Sequence, residues 1–238
     1  MEYLIKRLMR KLGIEIKRYC VNTCDDAKLK RILDRYDIDL VLDVGANSGQ
    51  YGQKLRHIGY RGNILSFEPL SSAFSQLLHK SRRDAFWSIA PRMAIGNTDG
   101  EATINISKNS FSSSMLSILP GHIQAAPESN YIGTEKVPIK TLDALWGSVI
   151  PMQFKSVYLK IDVQGYEHFV LEGATRIMSC IRGIQTELSL VPLYEGQKLF
   201  DEMIRYLTGF GFEFYSILSG FIDPDTARTL QFDGVFIK

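Results

Sequence analysis

Apolar positions along the chain follow two rhythms in turn. Leu40-Val41-Leu42-Asp43-Val44 is a short, nearly unbroken apolar run that stops on Gly45, the length and pattern of a buried strand. Tyr51 to Ile58 has helical spacing, Asn63 to Phe67 reads as a second strand, and Ser71 to His79 as a helix whose opening serines suit capping. A third strand is expected within Phe86 to Ile95. Strand, helix and strand in repetition point to a parallel sheet covered by helices, because a parallel return needs a crossover.

From Gly96 the texture changes. Asn97-Thr98-Asp99-Gly100 is a turn cluster and Ala102 to Ile106 alternates as a strand, while Lys108 to Ser117 holds five serines and little periodicity. An insertion or lid of about 107–134 is expected here. Val157 to Asp162 resumes the strand rhythm, followed by a helix over Glu167 to Met178 and an apolar run at Ile184 to Leu188. The tail supplies a helix over Lys198 to Tyr206, a strand over Phe212 to Leu218, and a last strand, Gly234 to Ile237, after the turn signal Asp223-Pro224-Asp225. That hairpin-like ending suggests an antiparallel edge. Such units wind into a three-layer α/β sheet with its ligand site at the carboxyl ends of the strands.

Length and charge refine the picture. The 238 residues, 45% of them hydrophobic, suit one domain with a sizeable core, and no run of 18 apolar residues exists to span a bilayer. The net charge of +2 argues against nucleic acid as the main partner. The charge is unevenly placed, with Met1 to Tyr36 at +5 and the remainder at −3. In that leader, Lys6, Arg7, Arg10, Lys11, Lys17 and Arg18 interleave with Leu4, Ile5, Leu8, Met9, Leu12, Ile14 and Ile16. This is a basic amphipathic pattern without the apolar block of a signal peptide, so a cytoplasmic location is expected. It reads either as a helix lying across the main domain or as one touching a membrane surface or partner. Cys20, Cys24 and Cys180 lack the spacing of a metal box and are read as structural thiols of a reducing compartment.

The most informative stretch is Asp43-Val44-Gly45-Ala46-Asn47-Ser48-Gly49, where a strand ends in a glycine-rich turn that lets backbone N–H groups approach a ligand. A dinucleotide fingerprint needs glycine where this chain has Asn47 and Gln50, which disfavours a nicotinamide dehydrogenase. Asn47 can still hold the turn tight, since asparagine tolerates the left-handed backbone. Glu68 ends the second strand at a spacing where its carboxylate can accept from both ribose hydroxyls, so nucleoside binding follows.

With Phe67-Glu68-Pro69 and Leu159-Lys160-Ile161-Asp162-Val163-Gln164-Gly165-Tyr166-Glu167, this turn resembles the FkbM family of S-adenosylmethionine-dependent methyltransferases. The resemblance runs from about Leu40 to Lys238 and includes Glu187 to Gly196 and Gln231 to Gly234. It implies a class I methyltransferase fold, a Rossmann-like three-layer sandwich whose seven-stranded sheet is mostly parallel with an antiparallel last strand. Residues 1–36 would then be a helical leader and 37–238 the methyltransferase domain. It also implies an enzyme that uses S-adenosylmethionine, usually to O-methylate a sugar or another hydroxylated small molecule. Carried onto this chain, Asp43 would face the methionine amino end, Gly45, Asn47 and Gly49 would bring backbone to the cofactor, and Glu68 would hold the ribose. Met93 and Ala94 would lie near adenine, or serve simply as core. Gln164 stands where many relatives have Glu, and an amide cannot act as a base.

Methyl transfer to a hydroxyl needs alignment and a group to take the proton. Lys160 and Asp162 point to one side of their strand, so the first candidate base is Asp162 with Lys160 beside it; Glu187 and His168 are alternatives. Asp162 and Glu187 offer two oxygen ligands and no third, so no metal site is expected. The serine-rich segment 107–117, the loop 124–134 and the stretch 192–197 are expected to recognise the acceptor, as hydroxyls, amides and aromatic faces suit a sugar. The reading is a sugar O-methyltransferase. A methyltransferase for a polyketide or amine, and a nucleoside-binding module without catalysis, are the alternatives.

Overall fold

The computed structural model describes residues 2–238. In chain order the elements are α1 (Glu2–Lys11), α2 (Asp25–Arg35), β1 (Leu40–Val44), α3 (Gln50–His57), β2 (Asn63–Phe67), α4 (Ser71–Ser81), β3 (Trp87–Ile89) and β4 (Ala94–Ile95). Then follow β5 (Gly100–Ser107), α5 (Pro120–Ala125), β6 (Tyr131–Lys140), α6 (Leu142–Leu145), β7 (Val157–Ile161) and α7 (Glu167–Glu172). The chain closes with β8 (Ile181–Ser189), α8 (Phe200–Gly209), β9 (Glu213–Leu218) and β10 (Gln231–Ile237).

Seven strands form the main sheet in the order β3-β2-β1-β7-β8-β10-β9. Strands β3, β2, β1, β7 and β8 pair in parallel, and β10 runs antiparallel to both of its neighbours, β8 and β9. The last strand is antiparallel, as expected; β10 is inserted between β8 and β9, so an antiparallel pair closes this side of the sheet with β9 outermost.

Period-two alternation decides what each face carries. Leu40, Leu42 and Val44 of β1 and Val157, Leu159 and Ile161 of β7 pack with Leu142, Leu145, Val170, Leu171, Met203 and Leu207 under α6, α7 and α8. Val41, Tyr158, Val235 and Ile237 face the other way, onto Leu29, Leu33, Leu55 and Leu77 of α2, α3 and α4. On this second face the apolar character stops before the carboxyl ends. There the positions that continue the alternation are Asp43, Lys160, Gln185 and Asp233, with Asp43 opposite Lys160 and Lys160 opposite Gln185 in register. One face of the sheet is thus oily at its amino end and polar at its carboxyl end.

The expected insertion differs in form. β5 and β6 pair antiparallel from Gly100↔Ile139 to Ser107↔Tyr131, and β4 joins β6 in parallel to make a second, three-stranded sheet. Its own small core is Leu70, Ala73, Ala94, Ile104, Val137 and Ile139. Residues 131–134, expected in a loop, belong to β6; Gly133 and Pro138 hide that strand in the sequence. What remains irregular is the tip, about 108–130, which carries α5 and the short 3-10 turn Pro127–Ser129. The helix expected over Glu167 to Met178 ends at Glu172, capped at Gly173.

In the leader, the apolar side chains Ile5, Leu8, Leu12, Ile14 and Ile16 are all exposed, Leu8 by 62% and Leu12 by 67%. They do not pack across the main domain. Among the described residues no helix is long and apolar enough to cross a membrane. The three cysteines are free thiols, and Cys180 is exposed, so it supports no packing.

Candidate active site

The turn after β1 is shaped by close backbone approach. Gly45 has φ +79°, and a Cβ there would overlap the carbonyl oxygen of Asp162, so only glycine lets the ends of β1 and β7 sit together. The N–H groups of Gly45 and Ala46 both donate to the Phe67 carbonyl at 3.1 and 3.0 Å, which ties the turn to the end of β2. Asn47 adopts the left-handed region at φ +46°, as the sequence suggested. Its Oδ1 accepts from the Ser48 N–H at 2.7 Å, and its Nδ2 donates to the Ser110 carbonyl of the insertion tip at 3.3 Å.

Beside this turn lies a cavity of about 270 Å³ at the carboxyl edge of the sheet. Gly45, Asn47, Glu68, Met93, Ala94, Asp162 and Glu187 all line it, so one pocket gathers seven of the eleven residues singled out in the sequence. Phe67, Leu70, Ile95 and Ile104 make its wall apolar, and Ser110, Phe111, Ser113, Ser114 and Met115 reach in from the insertion tip. Met93 and Ala94 do both things expected of them: they face the cavity and pack in the cores beneath it. From the three stretches expected to recognise an acceptor, 107–117 lines the cavity and Tyr194 touches its floor, whereas 124–134 contributes nothing to it.

Four of the eleven stand elsewhere. Asp43 is fully buried beneath the turn, and Ser66 Oγ donates to its Oδ2 at 3.0 Å. Gly49 faces Leu77 and Trp87, a packing role at the start of α3. Lys160 lies under Asp162 on the α3 face and lines a smaller adjoining cavity of about 240 Å³ with Gln50, Tyr51, Lys54, Gln185 and Asp233. His168 sits on α7 against Phe169, ring centroids 3.7 Å apart, outside both cavities; its charged neighbours are Glu172, Lys198 and Glu202.

Electrostatics distinguish the carboxyls. Glu68 accepts from the Asn47 N–H at 2.7 Å and the Leu70 N–H at 2.8 Å, yet burial pushes it up to about 7. Lys160 is buried and reaches Asp162 at 3.2 Å and Asp43 at 3.4 Å, with Tyr51's ring 5.0 Å away. Burial works against its charge, but the Asp162 and Asp43 carboxylates outweigh that and hold it above the usual ammonium range. Burial raises Asp43 despite the Lys160 ammonium. Burial, with the Asp162 carboxylate, raises Asp233 to about 6. Glu187 is pushed well up by burial and then by the Asp162, Glu167 and Asp233 carboxylates. Glu167 instead staples the β7–α7 turn, accepting from the Val163 and Gly165 N–H groups at 3.2 and 3.1 Å.

Several site residues escaped sequence reasoning. Tyr51 and Tyr158 donate to Gln185 Oε1 at 2.8 and 3.4 Å, and Gln185 donates to Asp233 at 2.9 Å. Gln164 bridges Asp162, Glu187 and Tyr194. The signal available for Gln185 and Asp233 was their polarity inside otherwise apolar strands; Tyr194 lies in the stretch 192–197 expected to recognise an acceptor, but its bond to Gln164 was not foreseen. Among the described residues no group of three or more His, Cys, Asp or Glu side chains is placed to hold a metal ion.

An open parallel sheet, a tight turn after β1, a buried acid after β2 and a carboxylate pair at β7 and β8 together suit an adenosyl cofactor with an acceptor beside it. No curated protein sequence matches the chain. Among solved structures, it is similar to TehB from Haemophilus influenzae at 10% identity and TM-score 0.47, with 90% of this chain and 60% of that one covered. The chain therefore spans less than two thirds of the length of that relative. It is also similar to magnesium protoporphyrin IX methyltransferase from Synechocystis PCC 6803 with bound SAM (11% identity, TM-score 0.46, 90% and 78% covered). A third is Aeropyrum pernix fibrillarin with S-adenosyl-L-methionine natively bound (13%, 0.45, 90% and 73%). At these values the likenesses assign no activity. Sequence does so more directly: the family model of the methyltransferase FkbM domain matches residues 43–214, most of the chain from the end of β1 to β9, and the protein belongs to that S-adenosylmethionine-dependent methyltransferase family.

Proposed function

We propose that this methyltransferase O-methylates a hydroxyl of a sugar in a glycan, glycolipid or glycosylated metabolite in the cytoplasm. The observation that carries the reading is that one cavity joins the buried Glu68 carboxyl to the Asp162 and Glu187 carboxyls, with serines and an aromatic ring at its mouth.

The residues present fit an adenosyl group. Each Glu68 oxygen accepts one backbone N–H and keeps a lone pair for a ribose hydroxyl, and the apolar wall around Met93 and Ala94 suits a flat base. S-adenosylmethionine supplies a methyl on a sulfonium, open to in-line attack. Asp162 and Glu187 orient the acceptor hydroxyl and take up its proton, Asp162 with the Lys160 ammonium at 3.2 Å. Lys160 and Asp43 position Asp162 from below. Phe111, 58% exposed and lining both cavities, offers a flat face to a sugar ring, and Ser110 and Ser113 offer hydroxyls. Incubation with methyl-labelled cofactor and sugar-bearing acceptors tests the reading by the product. Label on a sugar oxygen supports it, label on nitrogen or a polyketide carbon selects the other acceptor class, and no turnover with any acceptor extract leaves a nucleoside-binding module.

A second element concerns the leader. Its exposed apolar residues, flanked by Lys6, Arg7, Arg10, Lys11, Lys17 and Arg18, have the composition of a segment that lies on an anionic membrane surface, α1 being its helical part. Such a contact would bring the enzyme to a lipid-borne acceptor.

A further inference from the structure

Gln164 follows Asp162 by two residues, and its backbone is in the left-handed region at φ +56°, an unusual conformation for a residue with a Cβ. The turn that permits it continues into Gly165, at φ +92°, where a Cβ would press on the Tyr194 ring. The effect is to aim the Gln164 side chain at the cavity floor. Its Nε2 donates to Asp162 Oδ1 and to Glu187 Oε2, both at 2.8 Å, and its Oε1 accepts from the Tyr194 hydroxyl at 2.8 Å. Both amide hydrogens are used. Turning the amide over would set its oxygen against two carboxyls and forfeit both donations, which favours the orientation seen; the Tyr194 hydroxyl also lies 3.2 Å from the Ser112 carbonyl, a second acceptor for its hydrogen. Tyr194 is 1% exposed, and burial keeps its hydroxyl a neutral donor. Ser114 Oγ donates to the Gln164 carbonyl at 2.6 Å, which fixes the backbone from the insertion tip.

We propose that Gln164 is a positioning residue for methyl transfer: its amide holds Asp162 and Glu187 together as one proton-accepting pair, and Tyr194 sets the direction in which that amide faces. The inference rests on the reading of those carboxyls as the acceptor's base and deepens it. Without an intervening donor, two adjacent, partly buried carboxyls repel one another when ionised, which favours a proton on one of them. Glu187 is surrounded by such groups. Asp162 and Lys160 face it from the end of β7, Glu167 from α7, Asp233 from β10, and the Tyr194 hydroxyl from the loop after β8. Among these, only Lys160 favours the ionised form, and the hydrogen bond from Gln164 adds to it.

The test reads the carboxyl itself. The Glu187 side-chain carbon is followed by carbon-13 NMR against pH in the full-length protein, with Glu187→Gln to assign the signal. Gln164→Met keeps length and backbone but removes the donor, and the Glu187 titration is expected to move up by about one pH unit. Tyr194→Phe frees the amide without removing it, so a smaller upward shift is expected. Since Tyr194 acts through Gln164, the double variant should titrate as Gln164→Met does. Gln164→Glu, which exchanges the donor for a third carboxyl, should also shift Glu187 upward, and it serves if Gln164→Met fails to fold. An unmoved Glu187 in folded Gln164 variants, or additive shifts in the double variant, would overturn the proposal. Binding of S-adenosylhomocysteine and the melting temperature report folding. Because no acceptor is needed, absence of methyl transfer would remove the proposed function without altering this result.

Discussion

Asn47 and Glu68 are clasped across the turn after β1: the Asn47 N–H donates to Glu68 Oε2 at 2.7 Å, so the residue that tightens this loop also aims the acid at the end of β2. The same carboxyl is raised by burial to about 7 from an ordinary 4.5. A raised acid stabilises the fold below its ordinary value, and that contribution is lost as pH rises through about 7. A ribose hydroxyl donating to Glu68 favours the opposite, ionised form. The melting-temperature gain given by S-adenosylhomocysteine should therefore grow from pH 6 to pH 8, with affinity rising by about 10-fold in all across that window, most of it below pH 7. In Glu68→Gln the gain should be smaller and flat with pH, as thermal shifts across that window will read.

Asp162→Asn and Glu187→Gln should separate binding from chemistry. Each keeps shape and loses a proton acceptor, so kcat is expected to fall by roughly 100-fold or more. The affinity for S-adenosylhomocysteine should stay within about threefold of the parent, since neither side chain is assigned to the nucleoside. Calorimetry beside a labelled-methyl assay gives both numbers.

Lys160 is judged by stability. Its side chain is 8% exposed and Asp43's is 0%, so Lys160→Met strands a buried carboxylate. The expected loss is about 3–5 kcal/mol, a fall in melting temperature on the order of 10 °C. Adding Asp43→Asn should recover part of that loss. A double variant less stable than Lys160→Met alone would mean that the two residues are not a pair.

The leader is open to a direct trial. Co-sedimentation with vesicles containing phosphatidylserine should capture the full-length protein, and capture should weaken with added salt and with neutral phosphatidylcholine vesicles. Leu8→Glu with Leu12→Glu should abolish it while methyl transfer to a soluble acceptor persists. Equal capture by neutral vesicles, or none by either, would return the leader to an ordinary solvated helix.

The parts of this protein set by local pattern were readable in the sequence. The strand at 40–44, the turn at Gly45 and the acid at Glu68 follow from a two-residue period, a backbone that only glycine permits, and a fixed spacing between them. β6 was not readable, because Gly133 and Pro138 interrupt its pattern and most of its side chains are solvated; its identity comes from pairing with β5. Gln164 shows the same limit at the site. Its partners Glu187 and Tyr194 lie 23 and 30 residues away, so its role arises only when the ends of β7 and β8 are brought side by side. Conversely, His168 follows the β7 motif closely in sequence, but the turn of α7 carries it off toward α8.

Calorimetric titration of the purified protein with S-adenosylhomocysteine, set beside Glu68→Ala, addresses the cofactor cavity itself. Saturable binding at one site per chain is expected, weakened in the variant by roughly 30-fold or more as two hydrogen bonds to a buried carboxylate are lost. Binding of equal strength in Glu68→Ala, or no heat and no thermal shift in the parent, would contradict the assignment of this cavity to the cofactor.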